Sequence, residues 1–213
     1  MIWEHVVVGP LQVNCFILGC EDTRDAVVID PGGHPQAIRA VLARHGLRLR
    51  AILATHAHFD HILGVDPLRE GEDVPFYLHP ADEPVLQGQR DWVRRWLGYD
   101  PGEMPRVDAH LVPGEPFRLG CIHLEVAHTP GHSPGSVTFL DWEHKRAYVG
   151  DLIFASSVGR TDIPGGDYET LMESLRRVIL PLPDEMELLP GHGLFTTVGR
   201  ERLYNPYLRA LIG

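Results

Sequence analysis

The sequence predicts a mixed α+β / α/β protein in which two β-sheets stack and helices cover their outer faces. Three observations carry this expectation. Short apolar runs of strand length recur along the 213 residues, at 6–8, 15–18, 26–29 and 51–54 and again through the second half. Segments with helical periodicity lie between these runs rather than in one block, which is the pattern of helices packed onto sheets. Residues 26–54 read as strand, helix and strand, so part of the sheet is expected to be parallel and covered by helix.

Taken in order, the first two runs are separated by Gly9-Pro10, and the third ends in Asp30-Pro31-Gly32-Gly33. A helix is expected from His34-Pro35, because proline suits the first helical turn. Ile38, Val41 and Leu42 form its apolar stripe, and Gly46 stops it. Residues 76–78 read as a strand and 80–86 as a short helix. In residues 89–97, Trp92, Val93, Trp96 and Leu97 share one helical side, for which packing is the expected role and a lid over a site the alternative. Further strands are expected near 109–112, 122–127, 136–140, 146–149 and 187–189. A helix capped by Asp167 buries Leu171, Leu175, Val178 and Ile179 and ends at Pro181. The loop at Pro101, Gly102 and Pro105 does not divide the chain, since the pieces around it are too small to bury separate cores; residues 1–213 are expected to form a single domain.

The formal net charge of −10 argues against a nucleic-acid partner, because no cationic surplus exists to displace counterions from phosphates. No stretch approaches the roughly 18 apolar residues of a membrane span. The first residues lack a basic start followed by an apolar core, so a cytoplasmic, soluble protein is expected. Cys15, Cys20 and Cys121 are odd in number and form no CxxC, and are expected to be free buried thiols. Oligomeric state is not legible.

The chemistry concentrates in Thr55-His56-Ala57-His58-Phe59-Asp60-His61, directly after an apolar strand. In extended backbone, residues two apart point to the same side, so His56 and His58 can reach one metal ion. Asp60 and His61 lie where the chain turns and can face a second. Three more candidates each follow an apolar strand: His132 in Thr129-Pro130-Gly131-His132, Asp151 after Gly150, and His192 in Pro190-Gly191-His192-Gly193. Two divalent ions account for this number of ligands. His56, His58 and His132 would hold one, Asp60, His61 and His192 the other, with Asp151 bridging. Such a set leaves each ion an open position, as catalytic sites require. Zinc is the expected metal, with iron or manganese compatible with the same ligands. Asp30 is expected to be a turn residue that supports a ligand, and His79, His123 and His128 are read as structural.

These motifs, in this order and over nearly the whole chain, resemble the metallo-β-lactamase superfamily, which implies its four-layer αββα sandwich and two-metal site. Ser157 to Asp162 and the stretch from Glu201 to Pro206 are similar to the compact glyoxalase II-like branch. That resemblance implies hydrolysis of a small acyl thioester such as S-D-lactoylglutathione, with no nucleic acid or membrane partner. Longer glyoxalase II enzymes use a C-terminal helical domain in binding glutathione, whereas only residues 193–213 follow His192 here. Thioester hydrolysis is thus implied more firmly than glutathione as the thiol. Asp60 is the expected catalytic residue, orienting the attacking water and accepting its proton. Arg160 is expected to clamp a substrate carboxylate and Tyr204 to offer a hydroxyl from the tail. Persulfide dioxygenases are similar in the ligand loop and in Gly159 to Asp162; they use one iron on two histidines and an aspartate, here His56, His132 and Asp151. The Pro190 to Gly193 ending favours the dinuclear hydrolase, and a metal-binding module without activity is the least favoured reading.

Overall fold

The computed structural model describes Met1–Gly213. The first sheet runs in spatial order β1 (Ile2–Val8), β2 (Val13–Gly19), β3 (Asp25–Ile29), β4 (Arg48–Leu53), β5 (Phe76–Leu78) and β6 (Ala109–His110). β1 to β3 are antiparallel, and β3 to β6 are parallel. Parallel neighbours need long crossovers. α1 (Pro35–Arg44) provides the first, α2 (Phe59–Ile62) and α3 (Val65–Arg69) the second, and α4 (Glu83–Leu97) the third.

The second sheet begins with β7 (Phe117–Leu119), β8 (Ile122–His128), β9 (Val137–Asp141) and β10 (Arg146–Gly150), all antiparallel. A hairpin of β11 (Ile153–Phe154) and β12 (Ser157–Val158) follows. α5 (Tyr168–Ser174) continues through a π-helical turn at Leu175–Ile179 and leads to β13 (Glu187–Pro190), which lies parallel to β10. β14 (Thr196–Thr197), α6 (Val198–Tyr204) and α7 (Pro206–Ile212) complete the chain.

Three apolar layers make this a four-layer αββα sandwich. On β2, Cys15 and Ile17 join the layer beneath α1, with Ile38, Val41 and Leu42, while Phe16 and Leu18 face the other sheet. The period-2 alternation of a strand thus feeds two cores at once, which explains why Val13–Gly19 is buried at every position. Between the sheets, Phe16, Val27 and Leu53 meet Val126, Phe139 and Tyr148. On the far side, Val149 and Leu188 pack on Leu171, Leu175 and Leu208 of the outer helices. No helix is long and apolar enough to cross a membrane.

The structure corrects three expectations. Residues 80–97 hold one helix of 15 residues behind a short 3₁₀ turn, because Pro84 sits in the tolerated first turn and a lone Gly88 does not stop a helix held by packing. Its aromatic stripe is only partly core: Val93 is buried, whereas Trp96 is 54% exposed. Cys20 and Cys121 are not free; they form a disulfide between the end of β2 and the β7–β8 turn, and only Cys15 remains a buried thiol. Spacing along the chain could not reveal a pair 101 residues apart.

Candidate metal centre

Because β8 and β10 both run antiparallel to β9, and β13 runs parallel to β10, these three strands end at one edge of the second sheet. His132, Asp151 and His192 follow those ends. The β4 end of the first sheet delivers His56, His58, Asp60 and His61 to the same edge, where Val137 N donates to Thr55 O at 2.8 Å across the sheets. Strand ends therefore aim the ligands while the strands themselves supply a rigid base.

The structure brings together all seven candidate ligands. His56, His58 and His132 form one triad, Asp60, His61 and His192 another, with potential ligand atoms within 4.8 Å of one another in each. Asp151 lies between them: its Oδ2 is 3.6 Å from Nε2 of both His132 and His192, and its Oδ1 is 3.5 Å from His61 Nε2. His56 Nε2, His61 Nε2 and Asp151 Oδ1 are buried without a hydrogen-bond partner. Each such atom costs about 1–3 kcal/mol unless something compensates it. Three converging at one point, two from imidazoles and one from a carboxylate, fit divalent cations.

The backbone fixes which imidazole nitrogen faces inward. His132 Nδ1 donates to Arg160 O at 2.8 Å and His192 Nδ1 to Leu11 O at 3.0 Å; a carbonyl only accepts, so Nε2 keeps its lone pair. His61 Nδ1 faces Asp30 Oδ2 at 3.0 Å, and His56 Nδ1 lies 3.1 Å from Thr55 Oγ1. His58 is turned the other way, its Nδ1 2.9 Å from His132 Nε2. Burial pushes His58 down to about 3, helped by His132, and burial likewise lowers His56 well below the usual histidine range. Both rings are therefore neutral, each with one N–H and one nitrogen lone pair. For His61 burial also lowers the pKa, but Asp30, Asp60 and Asp151 outweigh it and raise it to about 10. Burial raises the Asp60 carboxyl, yet His61 and His192 prevail and hold it ionised.

Support comes from residues that sequence patterns do not single out. Asp82 is buried and accepts from Ala57 N at 2.8 Å, Ser133 Oγ at 2.8 Å and Gly135 N at 2.5 Å, joining the two loops that carry the first triad. Gln89 Oε1 accepts from Phe59 N at 2.8 Å. Asn14 donates to Pro190 O at 2.8 Å and Gly193 O at 3.1 Å, bracketing His192. Gly32 packs so closely on the ligand loop that a Cβ would lie 1.6 Å from Asp60 O.

A cavity of about 680 Å³ opens from the ligands, bounded by α4, by residues 163–165 and by Leu11. Arg160 lines it, with its guanidinium on Asp162 at 2.8 and 3.0 Å. Tyr204 does not line it; that side chain is 65% exposed on α6, with the Arg200 guanidinium 5.9 Å from the ring centre. His128 stacks on His79 at 4.3 Å and faces Pro134 O, apart from the ligands.

Residues 8–192 match the family model of the metallo-β-lactamase superfamily. The chain belongs to this superfamily. Hydroxyacylglutathione hydrolase GloC of Haemophilus influenzae is 34% identical over 214 residues, covering 97% of this chain and 98% of that protein. Among solved structures, the B3 metallo-β-lactamase BLEG-1 has a TM-score of 0.89 at 38% identity, covering 97% of this chain and 99% of its own. TTHA1623 in a di-iron-bound form has a TM-score of 0.87 at 43% identity, covering 96% and 100%. At the level of the metallo-β-lactamase superfamily, the protein is a metal-dependent hydrolase with a His/Asp site for divalent ions.

Proposed function

We propose that this superfamily member is a dinuclear-metal hydrolase of small acyl thioesters, with S-D-lactoylglutathione or a similar hydroxyacyl thioester as the reference substrate. The observation that carries the reading is the pair of complete triads with Asp151 between them, opening into a cavity sized for a small molecule. His56, His58 and His132 would hold one ion, Asp60, His61 and His192 the other, and Asp151 both. Zinc is the proposed metal, while the di-iron form of TTHA1623 makes iron an equal candidate by example. Bound there, divalent ions lower the pKa of water toward about 7 and stabilise negative charge developing on a carbonyl oxygen.

The chain's own residues would do the rest. Asp60 lines the cavity and is held ionised, so it is a weak base but a strong acceptor; it orients an attacking water through a hydrogen bond. The carbonyl of Arg160 and that of Leu11 keep His132 and His192 from rotating away from the reacting centre. A thiol of pKa about 8.5 leaves readily as thiolate, so no dedicated acid is needed.

The test is metal analysis of one preparation, paired with hydrolysis of S-D-lactoylglutathione, hydrolysis of a β-lactam, and oxygen uptake with glutathione persulfide. Two metal equivalents and thioester cleavage without oxygen support the reading. Oxygen uptake with one iron and no thioester cleavage assigns the chain to the dioxygenases, and β-lactam cleavage alone assigns it to the activity named for BLEG-1.

A further inference from the structure

The cavity wall opposite the metal ligands is apolar. Val85, Trp92 and Trp96 project from one face of α4, at the i, i+7 and i+11 spacing of a helical stripe, and Ile163 and Pro164 close the other side. Trp96 remains 54% exposed, its ring tilted against that of Trp92 at 6.3 Å between centroids. Gln89, the polar residue within this stripe, is occupied on both ends: Oε1 accepts from Phe59 N, and Nε2 donates to Val85 O at 3.0 Å. Arg160 is the only lysine or arginine in the lining, and its guanidinium is engaged with Asp162.

Gly88 sharpens the picture. It lies inside a 15-residue helix, where glycine is disfavoured against alanine, and it lines the cavity. A Cβ there would meet nothing within 4 Å, so neither packing nor backbone conformation demands a glycine. What a side chain at this position would occupy is cavity space beside Trp92.

We propose that this wall seats an apolar group of the substrate, so that the preferred thioester carries a medium-sized aliphatic or aromatic substituent. The inference rests on the thioester reading and narrows its substrate class away from glutathione, whose two carboxylates would meet a single cationic side chain in the lining, Arg160, already paired with Asp162. The substituent can belong to the acyl group or to the thiol; the chemistry of recognition is the same.

The experiment uses the full metal-loaded chain and two series of thioesters. One varies the acyl group (acetyl, hexanoyl, benzoyl) on N-acetylcysteamine, and the other varies the thiol of an acetyl thioester from N-acetylcysteamine to benzyl mercaptan. We expect kcat/KM to rise at least tenfold along one series, since each buried methylene contributes a few-fold, and to exceed that for S-D-lactoylglutathione. Gly88→Leu should lower the large-to-small substituent ratio of the series that rises at least tenfold, and Gly88→Ala should lower it less while raising Tm. A readout independent of turnover is quenching of tryptophan fluorescence by the thioether S-hexyl-N-acetylcysteamine, expected in the parent and weakened at least tenfold in Gly88→Leu. Thioether binding without cleavage of any thioester would refute the reaction class and leave the apolar subsite standing. Preference for S-D-lactoylglutathione over every apolar thioester, or ratios and thioether binding indifferent to Gly88→Ala and Gly88→Leu, would overturn the subsite.

Discussion

Asp30 Oδ2 lies 3.0 Å from His61 Nδ1, with both side chains buried. The same carboxylate accepts from Thr55 N and Thr55 Oγ1, each at 2.7 Å, so it ties the ligand loop to the end of β3 and sets the tautomer of His61 together. Asp30→Asn keeps the shape but removes the charge and one acceptor. Partners of this kind are worth about 10–100-fold in metal affinity. Competition against a chelator should show a loss of that size, and an unchanged Kd would mean that Asp30 serves the turn alone.

Asp151 sits between the triads, whereas His192 belongs to one. Asp151→Ala should therefore lose both metal equivalents, and His192→Ala mainly one. Elemental analysis after dialysis separates these results. Stripping the metal with a chelator should also lower Tm, because ions that bind only the folded chain stabilise it by mass action, about 4 kcal/mol at a thousandfold excess over Kd. Two equivalents retained by Asp151→Ala would exclude a bridging role.

Asp82 connects the loop of His56 and His58 to that of His132 without a hydrogen bond to any of the three rings. In Asp82→Asn an amide N–H replaces one acceptor and leaves a buried donor facing another. The expected cost is about 1–3 kcal/mol in urea unfolding. The metal lost first should be the one held by His56, His58 and His132, with the Asp60, His61 and His192 site retained. Equal loss from both sites would mark Asp82 as a general stabiliser of the fold.

His79 predicts a pH dependence. Burial first, then His128 and His110, lower its pKa from 6.5 to about 4. The unfolded chain thus takes up this proton before the folded one does. The associated stability is complete above pH 6.5 and is lost as pH falls from about 6.5 through about 4. The difference in urea midpoint between wild type and His79→Asn, which cancels the other titrating groups, should shrink in favour of the variant between pH 7.5 and pH 5. A constant difference would show that His79 does not titrate in that window.

Much of this molecule is legible in the chain because its signals are local. Four ligand-type residues crowd into six positions after one apolar strand, and His132, Asp151 and His192 stand at strand ends flanked by glycine. Asp82 was illegible for the opposite reason. An aspartate after His79-Pro80-Ala81 looks like any residue before a helix, and its three donors come from loops distant in sequence. Residues 80–86 and 89–97 read as separate segments with Gly88 in the gap between them, whereas tertiary packing carries α4 through that glycine. Tyr204 illustrates proximity assumed from a motif: α6 turns the ring to solvent. The Cys20 and Cys121 pair needed the sandwich to be assembled before it could be seen.

His56, His58, Asp60 and His61 are delivered by one sheet and His132, Asp151 and His192 by the other. A chain still emerging from synthesis owns only half of each ligand set, and its first-made histidines have nothing to close against. Tight capture of metal is thereby postponed until both halves have met, so metal uptake during synthesis would time-stamp the moment at which assembly is complete.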